Sequence, residues 1–404
     1  MPRSLLVGAV VFCAVQLPAR AEVTSDAPAA ILVFPKVLVD ITSPQVSPPA
    51  QIDTLIRVTN TSDRPISMWC FYVNATPHCT NNSGSCLARP VTCDPTACLP
   101  QWQETDFVVS LTPGQPIAWL ASRGGVPCQE SAPGLPCFSL GVQGLPPNRV
   151  QPVPEDPFLG ELKCIAVDRN LVPVARNELK GEVEIIRSGV SPDSIDVEAY
   201  NAIGIPAIRG TTDGDDTNNG DNTLVLGGGV CIGGANAQLP CAAVADCPGG
   251  RCSAEYSSCP NILILDHFLD GAADPISGKK VTTHVTFVPC SEDFATQSPT
   301  TTTVQFIIFN EFEQRFSTSR RVTCFQEFKI SDIDKANENK SIFSAAVNGT
   351  LTAQTRIRGV ADDDSDHGHT LLGVAEEFRE GGGTAALNLH FHGRRPQSDF
   401  IRLP

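Results

Sequence analysis

The sequence has no Cys-x-x-Cys pair, no Gly-x-Ser-x-Gly, no phosphate-cradling glycine loop and no helical pair of zinc-ligating histidines. Each absence leaves one mechanism without support in the sequence: thioredoxin-type redox exchange and zinc knuckles, a serine-nucleophile elbow, nucleotide phosphate capture and metalloprotease chemistry. Beyond the N-terminal segment there is no apolar run long enough for a helical membrane span, because "ILVFPKVLVDI" and "VQFIIF" are strand-length. Basic charge is scarce, with 29 Lys and Arg against 44 Asp and Glu, a net charge of −15. Such a chain repels phosphate backbones and anionic lipid, and no Lys/Arg stripe offsets the repulsion locally, so nucleic acid is not an expected partner. Long helices are excluded as well, since 33 prolines and 32 glycines interrupt the chain too often.

What is present begins with "MPRSLLVGAVVFCAVQLPARA". Arg3, the apolar stretch Leu5 to Leu17 and Ala19-Arg20-Ala21 occur in the order of a secretory signal peptide, expected at residues 1–21. Export leads to an oxidising compartment, where dense thiols pair. Of sixteen cysteines, Cys13 would leave with the signal, and the odd remainder leaves one thiol unpaired or bonded to another chain. The stretch "CIGGANAQLPCAAVADCPGGRCSAEYSSC" places Cys231, Cys241, Cys247, Cys252 and Cys259 among small and polar residues that bury little apolar surface. Their spacing does not suit zinc, and disulfide staples are the expectation, each contributing about 2–4 kcal/mol by constraining the unfolded loop. Cys128 and Cys137 bracket a Pro/Gly loop they could close, and Cys290 with Cys324 form a candidate cross-strand bridge. Cys79, Cys86, Cys93 and Cys98 make a second knot of open connectivity.

The residues Cys231, Gly234, Cys241, Asp246, Cys247, Pro248, Gly249, Gly250 and Cys252 are similar to a Cys-x-x-Gly…Cys…Asp-Cys-Pro-Gly-Gly-x-Cys element of otherwise uncharacterised secreted bacterial proteins. The resemblance covers under a tenth of the chain and implies no activity. "QIDTLIRVTN", the polar turn "TSDRP" and "ISMWCFYVN" resemble the opening hairpin of immunoglobulin-like β-sandwich domains.

Serial short strands with Pro/Gly breaks continue to the C-terminus, and no fixed-period repeat suggests a propeller or solenoid. The expected fold is mainly β: two antiparallel β-sandwich-like domains, at 22–209 and 261–404, separated by a polar, disulfide-rich insertion or linker at 210–260. Helical candidates are limited to "ISDIDKANENK" and "GVAEEFRE".

Three constellations carry candidate chemistry. "DGDDTNNGDN" offers Asp213, Asp215, Asn219 and Asp221 as oxygen ligands for calcium, the one cofactor considered, without the bidentate acid of a helical calcium loop. His367 and His369 in "ADDDSDHGH", with His390 and His392 in "NLHFHG", form a possible copper or zinc set; on a strand His390 and His392 share a face. His-x-His-Gly resembles one histidine motif of multicopper oxidases, but the remaining motifs are missing and the activity is not carried over. Asn310-Glu311 resembles the acid/base position of barrel-type glycoside hydrolases, without their alternating strands and helices. No catalytic residue is assigned. The leading expectation is a secreted or cell-surface structural or interaction module, not an enzyme, whose partner is an unknown protein or glycan at the cell surface; a disulfide-linked partner through an unpaired cysteine is also considered. The alternative is an extracellular carbohydrate-active or metal-dependent enzyme.

Overall fold

The computed structural model describes residues 23–41, 51–80, 85–86, 97–100, 102–127, 137–138, 150–188, 195–208, 222–241, 246–253, 255–334, 336, 340–360, 369–394 and 399–404. Among them the chain is almost wholly β. The exceptions are a 3₁₀ turn, Ile330–Asp332, and a one-turn α-helix, Ala345–Asn348, capped by the Ser344 hydroxyl and ended by Gly349 at φ 68°. "GVAEEFRE", read as a helix, lies instead within the strand Leu371–Arg379, where its residues pair with Val281–Pro289.

Four sheets carry most of the chain. The first runs, edge to edge, Ile203–Ile205, Ile31–Val39, Phe158–Val167, Ile66–Asn74 and Gln103–Leu111. The second runs Ile195–Asn201, Leu179–Ser188, Gln51–Asn60 and Pro116–Leu120. The third is Arg315–Thr323, Thr301–Asn310, Thr352–Val360, Pro260–Phe268 and His390–Arg394; the fourth is Gln326–Lys329, Val281–Pro289, Leu371–Arg379 and Thr384–Asn388. A smaller sheet sets Asp399–Arg402 between Thr223–Leu226 and Glu292–Asp293.

The expectation of two β-sandwich domains is corrected: the sheets form a five-bladed β-propeller ring. The physical reason is visible in the opening hairpin. Gln51–Asn60 and Ile66–Asn74 are consecutive, but they enter different sheets, the second and the first. Period-two alternation says which residues point inward, not which sheet a strand joins. The blades are woven from non-consecutive strands, so no sequence repeat marks them and the immunoglobulin-like reading falls too. One apolar cluster includes Ile31, Phe34, Tyr72 and Trp119 and continues through Leu226, Tyr256 and Phe294 to Leu372 and Ile401. A second centres on Phe287, Phe306, Phe328 and Phe343.

Where the first and second sheets meet the fourth and the Glu292 segment, charge is buried. Lys163, on the first sheet, donates to Glu161 Oε1 at 2.9 Å and to Glu292 Oε2 at 2.6 Å, and all three residues are buried. Lys36 pairs with Glu376 and, at 3.1 Å, with Glu327; Arg187 reaches both Glu198 and Glu376. Around these lie Phe71 stacked on Phe294 at 4.2 Å, and Asn201 exchanging hydrogen bonds with Asn388.

Disulfides are present. Cys70–Cys164 joins directly opposed residues of the first sheet; Cys86–Cys98, Cys231–Cys247, Cys241–Cys252 and Cys259–Cys290 staple loops. The expected Cys290–Cys324 bridge is corrected: Cys290 takes Cys259, and Cys324 is a buried free thiol. At 1 % exposure Cys324 cannot reach a second chain, so it supplies no disulfide-linked partner. Cys128 lies outside the described residues, and so does any bridge it makes to Cys137.

Candidate functional site

The outer face of the third sheet concentrates what this acidic chain otherwise disperses. In "TRIRGV", Ile357 is buried at 1 % and therefore Arg356 and Arg358 point the other way, to solvent. In "RFSTSRRVT" the same alternation exposes Arg315, Ser317, Ser319 and Arg321. The strand between them, Thr301–Asn310, buries Val304, Phe306 and Ile308 and turns Gln305, Ile307 and Phe309 outward, half-buried. Register then builds rows across the face: Ser319–Gln305–Arg358, Ser317–Ile307–Arg356 and Arg315–Phe309–Gln354. On the far side, Ile262 and Ile264 sit opposite His392 and His390, both exposed.

Four guanidiniums and two imidazoles thus share one sheet face with a half-exposed aliphatic and aromatic strip. Arg356 lies over the Phe309 ring, 5.2 Å from its centroid, and its Nε donates to Gln354 Oε1 at 3.4 Å. Gln354 in turn donates to Asp266 Oδ1 at 3.2 Å, so one hydrogen-bonded line fixes the end of the strip. Arginine is suited to this: its rigid fork matches carboxylate or sulfate bidentately and also stacks on apolar rings. The sequence shows no basic run because the arginines alternate with core residues on two strands separated in the chain. The premise that no stripe offsets the acidic charge holds for the linear sequence and fails on the folded surface.

Shallow grooves flank the face. One, of about 550 Å³, is lined by Asp266, His267, Phe309, Glu311, Gln354 and Glu377. Its ionisable groups have structural employment. Glu311 is exposed and accepts from the Thr352 hydroxyl at 2.6 Å and the Thr352 N–H at 2.9 Å, which hold its carboxyl below the ordinary range. Asn310 organises the adjoining turn, accepting from the N–H groups of Phe312 and Gln314 at 3.0 and 2.9 Å. His267 is buried; desolvation pushes its pKa down to about 4, and its ring nitrogens bond Phe268 O and Thr355 Oγ1. A carboxylate held ionised cannot serve as a general acid near neutral pH. The other groove, of about 540 Å³, includes Arg320, Arg321, Gln326 and Asp334.

Of the other sequence candidates, Asp213, Asp215, Asn219, Asp221 and His367 lie outside the described residues. His369 is buried where its carbonyl crosses Gly359, whose absent side chain makes the crossing possible: a Cβ there would stand 1.5 Å from the oxygen. His390 and His392 share the solvent face with the arginines, while Leu389 is buried. Among the described residues, the one group of three side chains within mutual metal-ligand range is Cys231, Cys241 and Cys247. All three sulfurs are consumed in disulfides.

No protein-family model matches the chain, and no curated protein is similar to it. Among the described residues no helix is long and apolar enough to cross a membrane.

Proposed function

We propose that the protein is an exported interaction module that engages an anionic glycan through the outer face of the third sheet. The observation carrying this reading is the convergence of Arg315, Arg321, Arg356 and Arg358 beside Ile307 and Phe309 on a chain of net charge −15. Guanidiniums take the carboxylates or sulfates of the polymer; the aliphatic and aromatic strip takes the apolar faces of its sugar rings. The N-terminal segment and the disulfides support export and a place outside the cell or at its surface. An extracellular enzyme finds less support, because Glu311 is an ionised turn cap on an open groove and His267 is sequestered.

The test is binding to immobilised polygalacturonate and to a sulfated polysaccharide, with neutral dextran as control. The protein is expected to bind an anionic polymer and to lose that binding in Arg356→Glu/Arg358→Glu. Equal retention of both proteins, or preference for dextran, would remove the reading.

A further inference from the structure

The two buried lysines are held differently, and the difference points to chemistry. Lys163 Nζ contacts two carboxylates and the Pro289 carbonyl, at 3.4 Å, in a site without exposed atoms on Lys163 or Glu161. Among the described residues, no second cation appears in the groups that shape Lys163 or Glu161. Among the described residues Glu161 Oε2 meets no hydrogen-bond donor, and the Cys324 thiol points at Glu292 Oε1 from 3.8 Å. Walls are apolar: Phe71 stands opposite Lys163 on the neighbouring strand and stacks on Phe294, two residues beyond Glu292.

We propose that Lys163 and Glu292 are joined by an intramolecular amide, formed after folding, with Glu161 carrying the proton. The ammonium of Lys163 first gives a proton to the acid pair, leaving a neutral amine beside a carboxylic acid. Nζ attacks Cδ of Glu292, so the N–C bond forms. Glu161, itself protonated, gives its proton to the departing oxygen, the C–O bond breaks and one water leaves, and Glu161 is reprotonated by the second amine hydrogen. Nothing is oxidised or reduced, no co-reactant is needed, and Glu161 ends as it began.

Three features favour this. Enclosure replaces a bimolecular encounter by contact, equivalent to an effective concentration of about 10⁵–10⁸ M for well-oriented groups. Burial disfavours the separated charges, and although Glu161 and Glu292 together raise the Lys163 pKa, the proton need only cross a hydrogen bond to one of them to leave a neutral amine in contact with an acid. Burial, opposed by Lys163 and reinforced by Glu292, also raises the Glu161 pKa, which keeps a proton in the site at neutral pH. Glu292 is chosen over Glu161 because its oxygen is nearer, 2.6 against 2.9 Å, and because Glu161 is the carboxyl that retains a proton to move.

Lys36 provides an internal control. Its carboxylates, Glu376 and Glu327, each have a further partner besides the lysine, Arg187 for Glu376 and His284 for Glu327, so neither acid faces the lysine alone. Lys36 should remain a free amine.

The experiment is peptide mapping and intact mass of the purified full chain after thiol reduction. Expected is a mass lower by one water and a crosslinked peptide pair containing Lys163 and Glu292, with trypsin failing after Lys163 and cutting after Lys36. Lys163→Arg and Glu161→Gln should each restore the lost water, with circular dichroism reporting retained fold. Recovery of both wild-type peptides unlinked overturns the proposal, independently of how the variants fold. So does a crosslink to Glu161, or one at Lys36.

Discussion

Charge is concentrated in two places, and the two use it oppositely. At the junction, Lys36, Lys163 and Arg187 are surrounded by Glu161, Glu292, Glu327 and Glu376, all but Arg187 and Glu327 buried. On the third sheet, Arg315, Arg356 and Arg358 face solvent beside Gln305, Ile307 and Phe309, with Asp266 at one end of the strip. Buried pairs fix register because misalignment strands a desolvated charge; exposed cations cost the fold little and stay available to a ligand. The comparison teaches that, in a chain this acidic, the positive charges mark both how the sheets are locked and where a partner is met.

The contrast can be broken most forcefully at the junction. Lys36→Ala leaves Glu376 to Arg187 and Glu327 to His284, removes the buried cation they share, and should cost about 3–5 kcal/mol, read from urea midpoints. Wild-type stability in that variant would mean that water reaches the site. Smaller is the loss of one staple: Cys231→Ser/Cys247→Ser should cost about 2–4 kcal/mol in the same assay, since it frees a loop of 16 residues without uncovering a charge.

Acidity separates the two lysine sites from one another. While Lys163 and Glu292 are unlinked, burial and Glu292, against Lys163, push Glu161 up to about 8. The folded state therefore holds a proton the unfolded chain releases near the ordinary 4.5. That contribution is full below pH 4.5 and is lost as pH rises towards about 8. Glu327, also buried, is held down to about 2 by Lys36 and His284. Its contribution is present above pH 4.5 and lost as pH falls towards about 2. Compared with the equally unlinked Lys163→Arg, Lys163→Arg/Glu161→Gln should flatten the alkaline side of the stability profile, and Glu327→Gln should flatten the acid side of the wild-type profile; the reverse assignment would refute the distinction.

The smallest expected effect on the fold is outside. Arg356→Glu/Arg358→Glu should leave the urea midpoint unchanged within about 0.5 kcal/mol. A large destabilisation would make the arginine face part of the structural frame, not a recognition surface.

Much of the chain was legible beforehand, and what escaped has a common cause. Alternation located strands such as Gln51–Asn60 and Thr301–Asn310, and thiol density among Gly, Ala and Pro identified a stapled loop whose Cys231, Cys241, Cys247 and Cys252 pair internally. Sheet membership escaped, because Gln51–Asn60 and Ile66–Asn74 look like one hairpin and part company. Cys290 escaped because its partner lies in a preceding loop, not across a strand pair. The arginine face escaped for the same reason: Arg321 and Arg356 share a surface only once Thr301–Asn310 has paired with strands on both sides. Local pattern sets which way a side chain points; long-range pairing sets what stands beside it.

The most direct measurement is the affinity for an anionic polysaccharide as a function of salt, for the wild type and Arg356→Glu/Arg358→Glu. The wild type is predicted to bind and to weaken steeply as ionic strength screens the exposed guanidiniums, with the variant failing to bind at low salt. Binding that ignores salt, or that survives in the variant, would contradict the assignment of recognition to this sheet.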